Sequence, residues 1–120
     1  MNTKKIDRVY CDNLNDYKIL REETIFFEKG GNSEIFIMAM ALGFNKKVKS
    51  PLKKGKEGVV RLTYFKDEHL SMIKAVAVMD AKSVDVLSDD ERIYSIAEEY
   101  ANAGMKLLKP LLVSTDPGSY

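Results

Sequence analysis

A single cysteine, Cys11, and a single histidine, His69, stand among 120 residues. One cysteine excludes a disulfide within the chain, and the two residues together cannot supply a dedicated Cys/His zinc site. This usage fits a reducing, cytoplasmic setting. Long apolar runs are missing as well. The longest is eight residues, Ile35 to Leu42, against the ~20 that a membrane-spanning helix needs. The opening MNTKKIDRVYCDN holds no apolar core of signal-peptide length. A phosphate-binding G-x-x-x-x-G-K-[ST] loop is absent too: in KKGKEG, Gly58 is followed by valine. Nor is there a nucleophile with its base. His69, beside Asp67 and Glu68, has no second histidine and no cysteine partner, and reads as a partly exposed residue at a helix start. Cys11 reads as a small hydrophobe. With a net charge of +1, any attraction to nucleic acid must come from where the charges sit.

What is present is a chain with 45% hydrophobic residues, enough for one domain with a real core. RVYC near the start has the character of a short strand. Helical spacing of Leu14, Tyr17, Ile19 or Leu20, Thr24 and Phe27 predicts a helix over 13–29, broken by GGN. Asn32 or Ser33 can cap the next helix, and Gly43 suits its left-handed end. A loop over 45–58 contains Pro51, Gly55 and Gly58. Val59 to Phe65 alternates as a strand does. KDEHLSMIKAVAVMDA is a helix with acids in its first turn, and KSVDVL is a loop or a short strand. Ser88 and Glu91 have the spacing of a capping box. From Ile93 to Leu111 apolar residues follow the 3.6-residue period, and Pro110 is expected to end or bend that helix near Lys109. The expected fold is mainly α, a compact domain of about four helices and one or two short β-strands over 1–113, with a flexible tail at 114–120.

Two regions are candidates for function. Ile35 to Leu42 is apolar on every side, so its helix is either central to its own domain or sealed by a partner. A partner, most simply a second copy in a homodimer, would meet Ile35, Met38 and Leu42. The next segment is strongly basic: Lys46, Lys47, Lys49, Lys53, Lys54 and Lys56, with Arg61 just beyond and Glu57 as the lone acid from Asn45 to Thr63. Flexible lysines at this density suit contacts to the DNA backbone; the plainer reading is a solubilising loop. Acids gather in the second half, at Asp80, Asp85, Asp89, Asp90, Glu91, Glu98 and Glu99. Glu98 and Glu99 would serve a protein-only adaptor that docks through its acidic last helix. A carboxylate-only metal site lacks a partner acid that the spacing can place, so neither metal nor cofactor is expected.

SEIFIMAMALGFNKKVKSPL, VRLTYF and AEEYANAGMKLL together resemble the small DNA phosphorothioation-associated accessory proteins, the fourth of their numbered set. The shared pattern is an apolar helix ending in Ala-x-x-x-Gly-Phe, a basic proline-containing loop, an aromatic-tipped strand and a late E-Y-A-N segment. It spans roughly Tyr17 to Leu111. The resemblance implies a role beside systems that replace a DNA phosphate oxygen by sulfur, or that use this mark in restriction. It carries over no catalytic residues. A looser likeness, in DRVYC, a helix, GGNS and EIFIMAMALGF, is to ribbon-helix-helix DNA-binding regulators, in which the strand pairs between subunits. Here the chain continues for about 75 residues past the second helix. The expected function is therefore a non-catalytic accessory protein that contacts DNA or a DNA-processing complex.

Overall fold

The computed structural model describes residues 6–23, 31–53 and 56–113. Its elements in chain order are β1 (Arg8–Cys11), α1 (Leu14–Glu23), α2 (Gly31–Asn45), β2 (Glu57–Arg61), α3 (Asp67–Ala81) and α4 (Asp90–Val113). Single 3-10 turns occupy Leu62–Tyr64 and Val84–Ser88. The mainly helical expectation holds, with four α-helices and one two-stranded sheet among the described residues.

Helices α2 and α4 are the central pair, and small residues let their backbones meet. A Cβ on Gly43 would lie 2.2 Å from the carbonyl oxygen of Tyr100, and one on Gly104 would lie 1.8 Å from that of Ala39. Gly43 is thus a point of close approach inside α2, not its cap. The helix runs two residues further, to Asn45. Its left-handed end falls on Lys47 (φ 58°), where Lys47 N–H donates to Phe44 O and Val48 N–H to Gly43 O, each at 3.0 Å. This double bond pattern takes up the last free carbonyls. Helix α3 closes in the same way at Lys82 (φ 56°), with Ser83 N–H donating to Val78 O. Lysine at a left-handed position costs about 1–2 kcal/mol relative to glycine.

Around this pair the core gathers Tyr17 and Leu20 from α1, Phe36 and Met40 from α2, Ile73 from α3, and Ile93 from α4. The apolar run Ile35 to Leu42 is therefore chiefly a core helix of its own chain. Ile35 has no exposed surface and is closed to any partner. Strand β1 pairs antiparallel with β2, Val9 opposite Val60 and Tyr10 opposite Gly58. The irregularity between those pairs turns two successive valines, Val59 and Val60, into the core. The strand predicted over Val59–Phe65 accordingly stops at Arg61 and tightens into a 3-10 turn.

Other boundaries move for local reasons. Helix α1 is described to Glu23, and the predicted extension to Lys29 lies outside the described residues, as does the tail 114–120. Asn32 and Ser33 sit within α2. Asn32 bridges instead, accepting from Arg21 and donating to Val59 O at 3.0 Å. Asp89, not Ser88, caps α4 by accepting from Arg92 N–H at 3.1 Å; the Ser88 hydroxyl donates to Asp85 O. Helix α4 also passes through Pro110 to Val113.

Gly104→Ala tests the crossing. The added methyl meets backbone rather than a flexible side chain, so the helices must separate. A loss of roughly 3 kcal/mol or more is expected, at the upper end for overpacking and despite about 1 kcal/mol of gained helix propensity. Urea unfolding reads this directly; an unchanged midpoint contradicts the close approach.

Candidate nucleic-acid interface

The basic segment does not stand away from the fold. It lies along α4, fastened near its middle. Ser50 N–H donates to Glu99 O at 3.0 Å. The side-chain amide of Asn102, a buried residue, donates to Ser50 O (3.1 Å) and to Asp12 Oδ2 (2.9 Å). The other oxygen of Asp12 accepts from Lys53 N–H at 2.7 Å. One asparagine and one aspartate thus hold the loop backbone at two points. Among the alanines and glycine that follow Tyr100, Asn102 is the polar exception in an apolar helix face, the signal from which the tether could have been read.

The acids nearest the lysines are engaged from within. Asp80 accepts from the Tyr100 hydroxyl at 2.5 Å and from Lys49 Nζ at 3.1 Å. Burial pushes its carboxyl up, but these two donors outweigh burial and hold it below the ordinary value. Asp12 behaves likewise: burial raises it, and the Asn102 and Lys53 hydrogen bonds bring it below 3.8. Burial beside Asp80 pushes the Tyr100 hydroxyl up to about 12. Glu98 accepts from Tyr10 N–H at 2.8 Å, yet burial dominates and raises its carboxyl.

The predicted lysines therefore divide. Lys46, Lys47, Lys53 and Lys56 are exposed. Lys49 is committed to Asp80 and lies 5.6 Å from the centre of the Tyr100 ring. Lys54 lies outside the described residues. Lys56 stands 4.9 Å over the Tyr10 ring and shares a depression of ≈ 400 Å³ with Arg8, Asp7, Glu91 and Glu98, so that end of the surface is mixed in charge. Arg61 is exposed on β2, opposite Arg8, which Asp7 pairs at 3.2 Å.

Of the interface set, Met38 is exposed and Leu42 half-buried. Glu98 and Glu99 are half-buried under the sheet and the loop, and Glu98 is already bonded, which leaves the adaptor reading little free acidic surface there. β1 pairs within its own chain and its Tyr10 N–H is taken by Glu98. That is not the free, subunit-bridging strand of a ribbon-helix-helix protein.

His69 is buried, at 5% exposure, rather than partly exposed. Its Nδ1 accepts from Lys66 N–H at 3.2 Å, so the ring proton sits on Nε2, 3.4 Å from Glu34. Its ring meets Phe65 edge-on. The ring secures the start of α3. Cys11 is buried too, and burial, with Glu57 nearby, pushes its thiol up to about 12, which makes it a poor nucleophile. Among the described residues no group of three or more His, Cys, Asp or Glu could hold a metal, and no helix is long and apolar enough to cross a membrane.

The family model described as DNA sulphur modification system-associated protein 4 matches residues 14–117. No curated protein and no solved structure matches the chain.

The tether has a pH signature. Because the Asp12 carboxyl is held below 3.8 in the folded protein, its contribution is complete above that value and is lost as pH falls through the lower, folded one. The Lys53 amide proton, followed by NMR during acid titration, is expected to shift with a midpoint below 3.8, and Asn102→Ala is expected to raise that midpoint. A wild-type midpoint at or above the ordinary value contradicts the tether.

Proposed function

The chain belongs to the DNA sulphur modification system-associated protein 4 family, and on that premise we propose that it acts without chemistry of its own, by contacting the DNA backbone beside the modification machinery. The reading rests chiefly on the fastened lysine loop. Lys46, Lys47 and Lys53 are exposed on a backbone held at Ser50 and Lys53, with Lys56 exposed at the mixed-charge end, while Asp12 and Asp80 are occupied from beneath. A loop ordered in advance loses less conformational freedom on binding. Ammonium groups recognise phosphates as point charges, so the contact is tolerant of sequence.

Neutralising roughly four phosphates gives a slope of about −3.6 in log K against log salt. Fluorescence anisotropy with a duplex oligonucleotide, at low and at physiological salt, measures it. Lys46→Gln, Lys53→Gln and Lys56→Gln in one chain are expected to remove most of the affinity and flatten the slope by about 3 × 0.9. Their effect on stability should stay within about 0.5 kcal/mol, since all three side chains are at the surface. No binding at low salt, or a slope that the triple variant leaves unchanged, overturns direct DNA contact.

A further inference from the structure

Helices α2 and α3 run parallel. Glu34 meets His69 near their starts, and Phe44 and Asp80 both reach Tyr100 near their ends. Between them, over Tyr100, lies an open groove of ≈ 840 Å³ lined by Met40, Phe44, Met72, Ala75, Val76 and Met79. Met79 is 63% exposed and Met72 41%. Where the two helices stop, the groove is bordered by Lys47 and Lys82, the two left-handed lysines. Neither forms an ion pair among the described residues. Directly after Lys82, the turn Val84–Ser88 carries an apolar projection: Val84 is 68% and Leu87 44% exposed. Asp85 and Asp90, both exposed, stand beside it.

We infer that this face joins two copies of the chain. Val84 and Leu87 of each copy seat against Met72 and Met79 of the other, and Asp85 and Asp90 face the opposite copy's Lys47 and Lys82. The slot is mainly apolar and is bordered by two cations, its one acid, Asp80, being taken up by Lys49 and Tyr100; the projection is apolar and flanked by two acids. The projection begins two residues after Lys82, which borders the slot, and slot and projection side by side are what a two-fold, self-complementary contact requires. Methionine side chains adapt to such a projection without rigid fit. Glycine is the easier residue at both left-handed positions, so each lysine sits there at a backbone cost. The occupant is a second copy, seated on the groove between α2 and α3 rather than on Ile35, which is fully enclosed. A patch this small makes a weak dimer, because interfaces under about 1,200 Å² are transient.

Sedimentation equilibrium of the full chain tests this. The wild type is expected to approach twice 13.6 kDa as its concentration rises, and to dissociate as salt is added. Lys47→Glu with Lys82→Glu, and separately Asp85→Lys with Asp90→Lys, should each be monomeric, since slot and projection then repel. Mixed in equal amounts, the two variants should form a heterodimer, because both contacts become complementary again; that recovery also shows that each is folded. Lys47→Gly with Lys82→Gly should raise the melting temperature yet weaken self-association by about tenfold or more. A wild type that stays monomeric at millimolar concentration, a dimer indifferent to these changes, or variants that do not recover on mixing overturns the inference. Lys47 is common to both surfaces, so the two readings are separated by the Lys46, Lys53 and Lys56 triple variant, which alters DNA binding and leaves the contact between copies intact.

Discussion

Where α2 crosses α4, backbone meets backbone. Gly43 lies against the carbonyl of Tyr100 and Gly104 against that of Ala39, with no side chain to hold the helices apart. Dispersion falls steeply with distance, so contact at this range gives the two helices a single relative placement. That placement decides what the rest of α4 can reach. Tyr100 is brought against Phe44 and within hydrogen-bond distance of Asp80 on α3. Two residues on, Asn102 is brought under the loop that leaves α2. Loop and third helix are both positioned by residues within one turn of the crossing.

The same geometry settles the electrostatics. In the sequence, lysines crowd the segment 46–56 and acids gather from Asp80 onward. In the fold the basic loop is laid over the acidic helix, and its charges meet the acids unequally. Asp80 takes up Lys49, and Asp12 takes up the backbone of Lys53, not its ammonium. A carboxylate that accepts hydrogen bonds from beneath is satisfied without drawing in every neighbouring lysine. Lys46, Lys47 and Lys53 remain exposed. A small net charge is thus compatible with a locally positive surface, and the tether gives that surface a fixed backbone.

Much of this was legible in the sequence. The 3.6-residue period of Ile93 to Leu111 located α4, and turn residues separated the helices. What escaped depended on partners distant in the chain. Gly43 has the sequence character of a helix end; only the approach of α4 explains why it lies two residues inside one. Pro110 reads as a stop or a bend, and the helix passes through it. The alternation of Val59 to Phe65 could not reveal that an irregular pairing with β1 turns two successive valines inward. His69 beside two acids looks exposed until Phe65 and Glu34 close around it. The lysines were visible as a cluster, but their division into Lys49, paired, and Lys46, Lys47 and Lys53, exposed, required Asp80 and Asp12, which stand 31 and 41 residues away from Lys49 and Lys53. The left-handed lysines are invisible in the sequence, because glycine is the usual residue there.

The central claim is that the glycine crossing and the loop tether form one unit. A NOESY spectrum of the isotope-labelled protein tests it most directly, because it observes both in one sample. The account predicts cross-peaks from the Gly104 α-protons to Ala39 and Gly43, together with cross-peaks from the Asn102 side-chain amide to Ser50. Helix cross-peaks with none from Asn102 to the loop would show α4 in place and the lysines unfastened, and would contradict the account.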